Sequence, residues 1–204
     1  MSMIIELAVN RLKEIFKKKG YKFFEKGNYN LNIVGVRMAE TIPNSFDDYL
    51  MCIYKENNQW VWKEYVITAD AGLYWLENPM ISEKGCALLV PNQYRGAYKL
   101  DKHRGEYTAL CQRGAKVEVY RDNDRDRILD YEASTIDRGY FGINIHRSHP
   151  NKEVSKVGKY SAGCQVFQNP KEFDEFIKIC KKQADIYSNS FTYTLLTIKD
   201  LKDE

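Results

Sequence analysis

Two stretches of the chain carry apolar residues at helical spacing, one near each end. In residues 4–19 apolar side chains recur every three or four positions with Lys and Glu between them, which predicts an amphipathic helix ending near Gly20. In the second stretch, Asn169 and Pro170 suit the N-cap and the first position of a helix. The apolar face of this second helix is predicted to consist of Phe173, Phe176, Ile177 and Cys180.

The rest of the chain reads as short strands rich in β-branched and aromatic residues, separated by polar turns. The predicted strands are residues 32–36, 48–54, 60–67, 87–90, 97–100, 107–112, 116–120, 128–131, 140–145 and 191–198. Without a linker or an internal repeat, this pattern predicts an α+β fold, a β-rich sheet or sandwich domain with N-terminal and C-terminal helices. We assign residues 1–28 to the first helix and its connection, and residues 29–204 to a single domain.

The composition is that of a globular protein with a single hydrophobic core. A chain of 204 residues that is 44% hydrophobic and 29% charged is large enough for one self-sufficient core. The 31 basic and 28 acidic residues are interspersed, so the net charge of +3 predicts no nucleic-acid partner. Polar residues interrupt the N-terminal apolar stretch, which predicts neither a signal peptide nor membrane insertion, and hence synthesis in the cytoplasm.

Candidate chemistry lies between residues 140 and 165, where a predicted strand leads into His146 and a turn of small residues leads into Cys164. An imidazole beside a thiol can take its proton and produce the nucleophilic thiolate. The small side chains of Ser161, Ala162 and Gly163 let their backbone N–H groups approach a substrate carbonyl and stabilise an oxyanion. The five cysteines include no CxxC pair and are predicted to be free thiols, with the other four serving as small buried hydrophobes.

The order and interval of these residues add a family resemblance. His146, fourteen intervening residues and then Ser161-x-Gly163-Cys164 resembles the signature of the L,D-transpeptidases, in which a Ser/Thr-His-Gly-Cys tetrad follows a histidine. The resemblance, extending over about residues 85–167, implies the catalytic domain of that family, with no cofactor. It also implies Cys164 as the residue acylated by a peptidoglycan stem peptide, His146 as general base, and the backbone carbonyl of Arg147 as the group that orients the imidazole.

The chain departs from this signature around the substrate. Ala162 stands where the tetrad has histidine, and Gln165-Val166 replaces the usual pair after the cysteine. These departures leave hydrolysis and transpeptidation both open, and the site of action would be a cell wall reached by release or by virion delivery from a phage. The predicted substrate-binding residues are Tyr94, Arg95, Tyr98, Arg104 and Gln165, with Arg147 a further candidate for holding a carboxylate.

Two alternatives remain from the sequence. His103, His146 and His149 are candidate ligands of a zinc-dependent peptidoglycan peptidase. A domain that binds peptidoglycan or another glycan without catalysis is the other alternative. The acidic stretch at residues 122–126 lacks the Gly and Glu of a calcium loop and is interpreted as a polar turn, so no metal is assigned there.

Overall fold

The computed structural model describes residues 2–38, 43–78 and 82–202. The helices are α1 (Ser2–Lys18), α2 (Leu73–Glu77), α3 (Pro170–Ile186) and α4 (Ile198–Leu201). The strands are β1 (Asn32–Arg37), β2 (Asp48–Glu56), β3 (Gln59–Thr68), β4 (Cys86–Leu89), β5 (Gln93–His103), β6 (Tyr107–Gln112), β7 (Val117–Asp122), β8 (Asp137–Gly139), β9 (Ile145–Arg147), β10 (Gln165–Phe167) and β11 (Phe191–Thr197).

Eight of these strands close into a barrel in the order β1-β11-β5-β6-β9-β10-β3-β2, and β4, β7 and β8 form a separate three-stranded sheet. Most neighbours in the barrel are antiparallel, but β1 with β11 and β9 with β10 are parallel pairs. The predicted α+β class, with a core made mostly of sheet and helices at both ends, is confirmed. The sheet-or-sandwich prediction missed barrel closure, because closure depends on pairing between strands far apart in sequence.

The two long helices contact opposite sides of the barrel wall. The apolar face of α1, including Val9, Leu12 and Phe16, packs on outward-facing residues of β1 and β2 such as Val34 and Ile53. The buried residues of α3 between Phe173 and Cys180 instead belong to the main core cluster, together with inward-facing residues of β1, β2 and β11. Apolar periodicity therefore located both helices. The two helices pack against different residues of β1 and β2, because each helix covers a different face of the sheet.

Local sequence signals account for several boundaries. Asn57 and Asn58 have φ of 51° and 63° between β2 and β3, the left-handed pair that a two-residue hairpin turn requires and that Asn tolerates. Gly20, with φ of 71°, follows the end of α1 as predicted. The side chain of Asn169 accepts a hydrogen bond from the backbone N–H of Lys171, which confirms it as the N-cap of α3.

Some predicted strands were wrong. Residues 128–131 form no strand, and their Leu129 packs instead in a small cluster beside β4. Residues 140–144 are irregular because the side chain of Gln112 accepts hydrogen bonds from the backbone of residues 141–143 in place of a neighbouring strand. His146 accordingly lies within β9 rather than after a strand. The short strands β8 and β10 and the short helices α2 and α4 were not predicted.

None of the five cysteines forms a disulfide, as predicted, and Cys164 is the least buried of them. Within the described ranges, no helix is both long enough and apolar enough to cross a membrane.

Candidate active site

A cavity of about 190 Å³ opens where the turn between β5 and β6 meets β9 and the loop that follows it. Its lining is His103, Arg104, Glu106, Tyr107, His146, Arg147, Ser148, Pro150, Lys159 and Tyr160. Three of these side chains are cationic and one is anionic, so the cavity favours a negatively charged group. Cys164 is not among the lining residues, although His146 is.

The side chain of His146 projects from β9 and is held by the backbone carbonyl of the next residue. Its Nδ1 lies 2.8 Å from the carbonyl oxygen of Arg147, so Nδ1 carries the proton and donates to that oxygen. The hydroxyl of Tyr107 donates to the same carbonyl at 3.3 Å and lies 3.4 Å from Nδ1. This arrangement selects the tautomer in which Nε2 is unprotonated and available as a base.

A second imidazole lies flat against the first. The rings of His103 and His146 are stacked with centroids 4.1 Å apart and planes 22° apart. The side-chain amide of Asn144 donates to His103 Nδ1 at 3.0 Å, while its oxygen accepts from the backbone N–H of Gln112 at 2.9 Å. Because the second bond fixes which end of the amide is the oxygen, His103 Nδ1 is the unprotonated nitrogen of a neutral ring.

Burial and charge keep both rings neutral. The pKa of His146 is lowered to about 3, chiefly by burial and further by His103 and Arg104. The pKa of His103 is lowered to about 4, again mainly by burial, with Arg104 contributing. A base with an unprotonated Nε2 is therefore present across the physiological pH range.

Cys164 immediately precedes β10, which runs parallel to β9 and pairs Val166 with His146. The thiol donates to the carbonyl of Gly142 at 3.4 Å. Burial raises the thiol pKa, while a hydrogen bond from the backbone of Asn144 and the charge of Arg104 act in the opposite direction. In the described part of the chain no hydrogen bond joins this thiol to His146. Both groups are neutral at rest, because the pKa of the thiol is raised and the pKa of the imidazole is lowered.

The turn before Cys164 is held on both sides. Ser161 Oγ donates to the carbonyl of Cys164 at 2.9 Å and accepts from the backbone N–H of Gly163 at 3.1 Å. The carbonyl of Ala162 accepts from the backbone N–H of Ala87, at the start of the separate sheet, at 3.1 Å. Of the residues predicted to supply oxyanion donors, Gly163 thus has its N–H already occupied by Ser161.

The structure divides the predicted substrate-binding residues into three arginines that reach the surface and three side chains that are buried. Arg104 lines the cavity beside His146, and so does Arg147, whose guanidinium lies 4.3 Å from the centre of the Tyr107 ring. Arg95 is exposed at a different cavity, beside the end of α3, and neither His146 nor Cys164 lines that cavity.

The other three predicted substrate-binding residues, Tyr94, Tyr98 and Gln165, are buried and out of reach of a substrate. Tyr98 and Gln165 are fully buried inside the barrel, where Gln165 accepts a hydrogen bond from the hydroxyl of Tyr193. Tyr94 is also buried, and its hydroxyl donates to the carbonyl of Val90 at 2.6 Å. Strand periodicity explains the correction, because these positions belong to the inward-facing set of β5 and β10.

Sequence reasoning missed Tyr107 and Asn144, and considered His103 only as a metal ligand. Asn144 carries a recognisable signal, since it lies two residues before His146. Tyr107 carries none, because it reaches His146 through the antiparallel pairing of β6 and β9.

The predicted zinc ligands do not converge on a point. His103 and His146 meet face to face, and His149 Nδ1 accepts from the backbone N–H groups of Asn151 and Lys152. In residues 2–38, 43–78 and 82–202, the only group of three or more His, Cys, Asp or Glu residues whose potential ligand atoms lie within 4.8 Å of one another is Asp122, Asp124 and Asp130.

Comparisons with protein-family models, with curated proteins and with solved structures returned no match to this chain.

Proposed function

We propose that the protein is a cysteine-dependent acyl-transfer enzyme of the L,D-transpeptidase type, acting on peptidoglycan stem peptides with Cys164 as nucleophile and His146 as base. The observation that carries the proposal is the hydrogen bond from His146 Nδ1 to the Arg147 carbonyl, which leaves Nε2 unprotonated. The parallel pairing of β9 with β10 places His146 beside Val166, two residues after Cys164.

The chemistry starts from a neutral thiol and a neutral imidazole. As the Cys164 sulfur attacks the amide carbonyl, its proton passes to His146 Nε2 and the carbonyl becomes an oxyanion. Collapse of this intermediate breaks the C–N bond, and the leaving amine takes the proton from His146. Water or a second amine then attacks the thioester while His146 removes its proton, the C–S bond breaks, and His146 returns the proton to the departing Cys164 thiolate.

Because the thiol pKa is raised and the His146 pKa is lowered, no thiolate–imidazolium pair exists before substrate arrives. Deprotonation therefore accompanies attack, which makes the position of the imidazole decisive for the rate. The substrate must also displace the thiol from the carbonyl of Gly142. The cationic residues Arg104, Arg147 and Lys159 are suited to the carboxylate of a stem peptide.

The test is mass spectrometry of stem-peptide products after incubation with purified peptidoglycan. We expect product from the wild type and none from Cys164→Ala or His146→Ala. Cys180→Ala and His149→Gln are the matched controls, because they remove a cysteine and a histidine outside the proposed pair, and both should retain activity. Equal product from the wild type and Cys164→Ala would reject the thiol mechanism, and loss of product with a chelator would instead favour the zinc alternative.

A second function, peptidoglycan binding without catalysis, is favoured by one observation. The thiol of Cys164 is bonded to Gly142 and not to His146. Retained sedimentation with sacculi, together with no stem-peptide product from the wild type, would support this binding function over the enzymatic one.

A further inference from the structure

His103 stacks against His146, but the proposed acyl-transfer steps use His146 alone and give His103 no role. The two rings lie 4.1 Å apart between centroids, and His103 is buried. Face-to-face contact at this distance fixes the plane of His146, while the Arg147 carbonyl fixes the direction of Nδ1 within that plane. Together the two contacts leave the His146 ring a single orientation.

His103 is itself held from two sides. Asn144 donates to its Nδ1 at 3.0 Å, and the Tyr107 ring lies with its centroid 5.5 Å from the His103 ring. Asn144 also binds the backbone N–H of Gln112, so its amide cannot turn to present an oxygen to His103. A ring held this firmly can position its neighbour.

The stack also limits how many protons the two rings can carry. Two imidazolium rings face to face would place like charges against each other in a buried site. The charged and titratable groups that face the pair are Arg104, Glu106, Tyr107, Arg113, Arg147, Lys159 and Tyr160. Four of these are cations and only Glu106 is an anion, so the surrounding charge disfavours a second positive charge on the pair.

We propose that His103 is a positioning residue that holds His146 in one orientation and in its Nδ1–H tautomer, so that Nε2 stays an unprotonated base. The consequence for catalysis rests on the proposed acyl transfer. The consequence for the state of His146 does not, because it follows from the stack and its hydrogen bonds.

Nitrogen NMR of the imidazole rings tests the proposal on the full chain without substrate. The chain has three histidines, so single substitutions assign every ring signal. His103→Ala removes the stacked ring, whereas His103→Phe keeps a flat ring and removes its nitrogens. His149→Ala is the matched control and should leave the His146 signals unchanged.

In the wild type we expect the nitrogen chemical shifts of His146 to be those of a ring with a protonated Nδ1 and an unprotonated Nε2. In His103→Ala the shifts should move towards a mixture of tautomers, and the midpoint of the His146 titration should rise by about one pH unit. His103→Phe should raise the midpoint too but keep the Nδ1–H tautomer, since its ring still packs. A His146 tautomer and titration in both variants identical to those of the wild type would overturn the proposal.

Urea unfolding and a backbone amide spectrum show whether each variant is folded. If His103→Ala does not fold, His103→Leu, which fills the space without a flat ring, takes its place and should show the same shift towards a mixture of tautomers. Where the wild type releases stem-peptide product, His103→Ala should lower kcat about tenfold with little change in KM, and the acid limb of its pH–rate profile should move to higher pH. Absence of product from the wild type would reject the proposed function and leave the NMR result to decide this inference.

Discussion

Replacing Gly163 by Ala should destabilise the protein strongly, because the turn before Cys164 leaves no space for a side chain. Gly163 has φ of 123°, a conformation that residues with a Cβ rarely adopt. A Cβ added there would lie 1.9 Å from the carbonyl oxygen of Ala87, whereas real Cβ atoms essentially never approach a heavy atom within 3.0 Å. The turn and β4 must therefore separate by more than 1 Å, measured against that limit.

The cost can be assembled from its parts. Strained backbone costs about 1–3 kcal/mol, and forcing atoms into a packed region costs about 1–3 kcal/mol more. Moving β4 away also weakens the bond from the Ala87 N–H to the Ala162 carbonyl, worth about 1 kcal/mol. We therefore expect Gly163→Ala to lower the free energy of unfolding by about 4 kcal/mol, which is a large part of the stability of a domain.

Urea denaturation followed by circular dichroism measures this loss, with Gly20→Ala as the matched control. Gly20 also has positive φ, 71°, but a Cβ there meets nothing within 4 Å. Its replacement should cost only the left-handed backbone penalty of about 1 kcal/mol. Equal decreases in the urea midpoint for the two variants would refute the close approach of Gly163 to β4.

Two further predictions concern the candidate pair. His146 has a pKa of about 3 when folded against 6.5 for an ordinary histidine, so its contribution to stability is complete above pH 6.5 and is lost as pH falls towards 3. Between pH 6.5 and 4 the wild type should lose about 3 kcal/mol more unfolding free energy than His146→Gln, as measured by urea denaturation at each pH, and equal losses would contradict a buried neutral ring. Iodoacetamide should alkylate only Cys164 in the folded protein, slowly at pH 7 and faster at higher pH because the thiol pKa is raised, as followed by intact mass. Alkylation at pH 7 as fast as that of a small free thiol would show a thiolate already present.

The sequence by itself determined the elements whose signals are local. Apolar periodicity located α1 and α3, and Asn169 marked the start of α3. It also singled out His146 and Cys164 as candidates for chemistry, while the family resemblance, and not the residues alone, implied the Arg147 carbonyl now seen 2.8 Å from His146 Nδ1. The signals of the helices and of the candidate residues depend on a few neighbouring residues, which is why they can be read along the chain.

Only the tertiary structure decided the features that depend on distant residues. Gln112 makes residues 140–144 irregular by accepting three of their backbone hydrogen bonds, and no local pattern announces this. The inward face of the barrel takes Tyr98 and Gln165 away from the surface, because the face a side chain occupies depends on the register of the strands around it. The stack of His103 on His146 likewise arises because barrel pairing carries β5 and β9 to one cavity.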